Sequence, residues 1–69
     1  MRKRYQNLNN PELFVIVKIP NSKIPQHCMF QFELNGKRVG TTFTRIQKGA
    51  LMVMLEDYVE VETKRTDYY

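Results

Sequence analysis

The chain has 69 residues, 42% of them hydrophobic and 26% charged, with a formal net charge of +4. A single core of this size supplies roughly 3–5 kcal/mol unless something reinforces it. The one cysteine, Cys28, excludes an internal disulfide, and with His27 it is too little for a four-ligand zinc site within one chain. No cofactor is expected, and self-association into a homo-oligomer is the reinforcement that remains.

A lone cysteine fits a reducing compartment. Met1-Arg2-Lys3-Arg4 is followed by the polar stretch Tyr5–Pro11, where a secretory leader needs an apolar one. The longest apolar run, Ala50–Leu55, is too short to span a bilayer. A cytoplasmic protein without a membrane partner is expected. The charge is uneven: residues 1–48 carry nine Lys/Arg against Glu12 and Glu33, whereas residues 49–69 carry Lys64 and Arg65 against five acids. A polarised chain of this kind suits an anionic partner on one side.

Residues 1–12, rich in Arg, Lys and Asn, read as a basic flexible arm ending near Pro11. Residues 13–63 read as a single small globular domain, and 64–69 as a frayed tail. Leu13–Ile19 is rich in β-branched residues and bounded by prolines, which predicts a strand in the middle of the sheet or one covered on both sides. Pro20–Pro25 reads as a loop.

Asn35-Gly36 predicts a two-residue hairpin turn, because both positions accept positive φ. That turn sets Leu34 opposite Lys37, Glu33 opposite Arg38, Phe32 opposite Val39, Phe30 opposite Thr41 and Cys28 opposite Phe43. One face then collects Cys28, Phe30, Phe32, Leu34, Val39 and Phe43, and the other Met29, Gln31, Glu33, Arg38, Gly40 and Thr42. Thr44–Asp57 is favoured as a helix, with Thr44 and Gln47 as a capping box. Ile46, Ala50, Val53 and Met54 would turn to the sheet, and Arg45, Lys48, Met52 and Glu56 would turn outward. Alternation of Leu51, Val53 and Leu55 keeps a strand open as the other reading. Tyr58–Thr63 alternates as a last strand, with its acids on a wet edge. The expected fold is therefore α+β, a small antiparallel sheet in the order β-β-β-α-β, and the alternative is an all-β five-stranded small barrel.

Catalytic machinery is not visible in this pattern. His27 and Cys28 are adjacent, and neighbours on a strand point to opposite faces, so the thiol and imidazole are held apart. Ser22, the only serine, lies in the proline-flanked loop with no glycine-rich elbow around it. Glu56, Asp57, Glu60 and Glu62 lack the spacing of a calcium loop. A non-enzymatic binding protein is expected.

The candidate binding residues are basic groups with one ring. Arg2, Lys3 and Arg4, with Tyr5, stand in the arm, Lys37 and Arg38 at the hairpin tip, and Arg45 and Lys48 on the outer side of the next element. Such groups contact phosphates, which supply most non-specific nucleic-acid affinity. Tyr68 and Tyr69 add rings in the tail.

Two local resemblances can be traced to particular residues. Phe30–Gly36 with Leu55-Glu56-Asp57 is similar to the first half of an Sm-type RNA-binding barrel, but the spacing departs from that pattern and no second segment follows Val61. Arg45–Ala50 is similar to the nucleotide-binding turn of PilZ domains, without the Asp/Asn and Ser that would bind. Neither carries residues over, and no family is assigned. The function expected from sequence is binding of nucleic acid or a nucleoprotein through the basic arm and hairpin face. The alternative, by analogy with compact domains encoded by viruses and mobile elements, is an inhibitor or adaptor that binds a host protein.

Overall fold

The computed structural model describes residues 1–21 and 26–68. They form a small antiparallel sheet with one helix. The strands are β1 (Arg2–Asn7), β2 (Leu13–Lys18), β3 (His27–Leu34), β4 (Lys37–Arg38), β5 (Thr44–Gln47) and β6 (Tyr58–Val61), and the helix α1 spans Lys48–Met54. Their order across the sheet is β4-β3-β2-β1-β6, with β5 beside β3. The sheet is open, so the barrel alternative does not hold, and neither does the simple β-β-β-α-β order, which lacked β1 and β5.

Residues 2–7, expected to hang free as an arm, form a strand between β2 and β6. The loop that returns the chain to β2 is organised by asparagines. Asn7 Oδ1 accepts from the backbone N–H of Asn9 and Asn10 at 2.8 and 2.9 Å, and Asn10 Oδ1 accepts from that of Glu12 at 3.1 Å. Short polar side chains mimic backbone turns in this way. β2 occupies the middle of the sheet, as its apolar run on both faces predicts: Val15, Ile16 and Val17 are all buried.

The Asn35-Gly36 turn forms with both residues at positive φ, 53° and 81°. Glu33 pairs with Arg38 and Leu34 with Lys37, as expected. The predicted register then fails. Phe30 pairs with Thr44 instead of Thr41, and Cys28 with Ile46 instead of Phe43. Three extra residues are taken up around Gly40, itself at φ 83°, a conformation that favours glycine. An odd insertion exchanges the faces, so Phe43 leaves the apolar side.

The capping box at Thr44 and Gln47 does not form either. These residues are drawn into β5 by pairing with β3, and α1 starts after Gln47 with no side-chain cap bond. Leu51 is its buried anchor and Met54 is half-buried, whereas Val53 and Ala50, expected to face the sheet, are exposed. A seven-residue helix is marginal alone and depends on such docking. The last strand stops at Val61, and residues 64–68, expected to fray, include a 3-10 turn at Arg65–Tyr68 whose Asp67 is buried. Most of the Pro20–Pro25 loop, including Ser22, and Tyr69 lie outside the described residues. Among those described, no helix is long and apolar enough to cross a membrane.

The two faces of the sheet differ. Val15, Val17 and Cys28 meet Leu51 on one, the helix face, flanked by Tyr5, Phe30, Phe32, Ile46 and Tyr58. The other, the tail face, carries Arg2, Arg4, Gln6, Phe14, Ile16, Lys18, Met29, Gln31, Glu33 and Arg38 in the rows fixed by pairing. The Arg65–Tyr68 turn docks there through Asp67.

Candidate nucleic-acid interface

Alternation along β1 separates the four candidate residues of the supposed arm. Arg2 and Arg4 point to the tail face, and Lys3 and Tyr5 to the helix face. Tyr5 packs on the apolar core, where burial pushes its phenol pKa up, so it is not a free stacking ring. Lys3 reaches Glu60 at 3.4 Å in a solvent-exposed pair. Lys37 is exposed at the hairpin tip, and Lys48 is exposed where α1 begins.

Arg4 is the largest correction among the candidates. Its residue is 1% exposed. Its guanidinium makes a two-pronged ion pair with Glu33 and reaches Asp67 Oδ1 at 3.1 Å. It also lies over the Phe14 ring, 4.1 Å from the centroid. Burial on its own would pull the Arg4 pKa down, but Glu33 and Asp67 outweigh it and hold the pKa above its ordinary value. The hydrogen bonds from Arg4 in turn hold the Glu33 carboxyl below the usual carboxylate range, against the opposing effect of burial. Arg4 is thus a structural cation and is not available to a phosphate.

Arg38 is shared between structure and surface. It donates to Gln31 Oε1 at 2.6 Å and to the Thr66 carbonyl at 3.0 Å, with Asp67 Oδ1 at 3.7 Å. Gln31 in turn donates to the Gly40 carbonyl at 3.0 Å, which fixes the bulge. Two guanidiniums face the displaced ring: Arg2 lies 5.3 Å and Arg38 5.7 Å from the Phe43 centroid. Arg2 Nη1 is buried and has no hydrogen-bond partner among the described residues. Such a donor costs roughly 1–3 kcal/mol until it meets an acceptor.

The pairing register assembles a row that sequence reasoning did not find. Arg2 stands opposite Lys18, Lys18 opposite Met29, and Met29 opposite Arg45. Strands lie about 4.8 Å apart, so the row runs roughly 14 Å across the sheet. No carboxylate stands in it. Arg45 is exposed and lies 3.2 Å from His27 Nδ1, and Lys18 is exposed. Lys18 was passed over because it ends an apolar strand. Its place in the row is set by the pairing of four strands, which no local motif encodes.

Beside the row lies an open hollow of about 570 Å³, lined by Gln31, Glu33, Arg38, Thr41, Phe43 and Thr66 among others. Its one carboxylate, Glu33, is neutralised by Arg4. Among the described residues no group of three His, Cys, Asp or Glu side chains could hold a metal ion.

No family model matches the chain, and no curated protein or solved structure does so either.

Proposed function

We propose that this protein is a non-catalytic nucleic-acid-binding module that contacts phosphates with the tail face of its sheet. The observation that carries this reading is the row Arg2, Lys18 and Arg45, three cations aligned by strand register with no acid among them. Arg38, on β4, which pairs with β3 further along the strand than β5 does, adds a fourth. Of the residues named from sequence, Arg2, Arg38 and Arg45 share this face, while Arg4 is spent on the fold and Lys3, Tyr5, Lys37 and Lys48 lie elsewhere. Strands fix the spacing of these positions, so no backbone has to order when phosphates bind and the entropy cost is confined to the side chains.

Fluorescence anisotropy with labelled polynucleotides across a salt series tests it. Four phosphate contacts to a single strand require a log–log slope of about −3. Replacing Arg2, Lys18 and Arg45 together by Gln should flatten that slope by about two and weaken all base sequences alike. No detectable binding to any polynucleotide at low salt would rule the reading out.

One observation favours a protein-binding adaptor as the second reading. Met52 and Val53 on the outer side of α1 are 63% and 65% exposed, and adjacent exposed apolar residues suit a protein contact. That reading requires a partner captured equally well after nuclease treatment and lost with Met52→Lys and Val53→Lys.

A further inference from the structure

We infer that the hollow beside Phe43 is a seat for one unpaired nucleotide, its base stacked on Phe43 and Arg38 and its phosphate held by Arg2. This rests on the nucleic-acid reading and narrows it to single strands.

The first support is the displaced aromatic. In an unbroken hairpin Phe43 would join the apolar core beside Cys28, but the three extra residues around Gly40 put it on the cationic face. The bulge is held by Gln31, which donates to Gly40 and accepts from Arg38. The same side chain thus positions the ring-bearing loop and the guanidinium over it. The Arg38 guanidinium lies 5.7 Å from the Phe43 centroid, and bases stack on both aromatic rings and guanidinium planes.

The second support is space and its lining. The hollow of about 570 Å³ falls within the usual range for small-ligand sites. Gly36 and Gly40 border it, and nothing lies within 4 Å of where a Cβ would stand on either, so a planar group can approach the backbone. The Thr41 side chain offers a hydroxyl to a base edge.

The third support is the unpartnered donor. Arg2 lies over the same ring and keeps Nη1 without an acceptor among the described residues. Nη1 is closed to solvent, so the Arg2 side chain turns outward to give it to a phosphate following the stacked base, and Lys18 and Arg45 continue the line of cations from Arg2 for the next phosphates. An intact duplex keeps its bases stacked inside, so it offers the hollow nothing and can use the cations alone.

The test compares labelled oligo(dT), oligo(rU) and a DNA duplex of equal length, with the wild-type chain and with Phe43→Leu and Phe43→Tyr. The expected result is that at least one single strand binds about tenfold tighter than duplex. Phe43→Leu should remove about tenfold of single-strand affinity, in line with the loss of one stacked base, and leave duplex affinity and the salt slope unchanged. Phe43→Tyr should retain tight binding. Should Phe43→Leu fail to fold, two-dimensional NMR on the wild-type chain replaces it: the single strand should shift Gly40, Thr41, Phe43 and Thr66 and leave α1 unmoved. Equal affinity for single strand and duplex, or no response at Phe43, overturns the nucleotide seat while the phosphate-binding row survives. Loss of all polynucleotide binding overturns both.

Discussion

Lys3 and Arg4 are neighbours in one strand, and each forms an ion pair with a glutamate. The pairs have different surroundings. Lys3 meets Glu60 on the helix face, where the two side chains are 35% and 57% exposed. Arg4 meets Glu33 and Asp67 on the tail face, where all three are buried. The helix face is closed by apolar contact and leaves its charges at the rim. The tail face is closed by the charges themselves, over Ile16 and Phe14. A sheet this small has one short helix to cover one side, and a polar turn covers the other. Burial, more than charge, decides what each pair does.

The largest effect should come from Arg4. Arg4→Gln leaves Glu33 and Asp67 buried without their main counterion, a loss of about 3–5 kcal/mol. That equals the whole stability expected of a core this size, so the variant should lack a cooperative thermal transition by circular dichroism. A variant melting within a few degrees of wild type would show that the tail face is closed by something other than this network. Acid tests the same pair. The Glu33 pKa is depressed in the folded chain, so its stabilisation is complete above its ordinary value of about 4.5 and is lost as pH falls through the folded value. The melting temperature should drop across that window, and Glu33→Gln, already less stable at neutral pH, should show a smaller drop. An equal drop in both proteins would assign the acid sensitivity to other carboxylates.

On the helix face the corresponding test is Leu51→Ala, with an expected cost of about 2–3 kcal/mol, toward the lower end for a buried leucine in so small a core. Leu51 is the buried residue of α1, and the helix has no side-chain cap. Backbone chemical shifts over Lys48–Met54 should move toward coil. If the faces are independent, the resonances of Gln31, Glu33 and Asp67 should stay in place. Their simultaneous collapse would mean that the faces form one cooperative unit and that the contrast between them is only one of appearance.

The same contrast explains how much was legible in the sequence. What the helix face needed was local: β-branched residues between prolines made β2, alternation made β3, and Asn-Gly made the turn with its first two pairs. What the tail face needed was distant. Arg2–Asn7 reads as a solvated arm if each arginine is counted as a charge for water, and becomes a strand where β2 and β6 flank it and Glu33 and Asp67, far along the chain, receive Arg4. Asp67 likewise looked like part of a frayed end. One local signal was available: Asn7, Asn9, Asn10 and Pro11 form a turn cluster between two segments, and would have suggested that a strand precedes it. The Phe43 displacement had only Gly40 as a mark. Of the proposed binding face, Arg2, Arg38 and Arg45 were named, while Lys18 waited on the register of four strands.

The smallest effect should come from the exposed pair, and it is the control for all the rest. Glu60→Gln removes the charge that faces Lys3 without changing shape. An exposed pair contributes about 0–1 kcal/mol, and for a domain of this length about 1 kcal/mol moves the melting temperature by roughly 4–8 °C. The expected shift is therefore at most about 8 °C. It should vanish at high salt, because solvent ions reach both partners. The Arg4 network is sealed from those ions, so the effect of its loss should persist at the same salt. A salt-independent loss at Glu60 as large as that of Leu51→Ala would mean that the rim of the helix face is closed by charge as well. Burial would then not separate the two pairs, and the contrast between neighbours in β1 would fall.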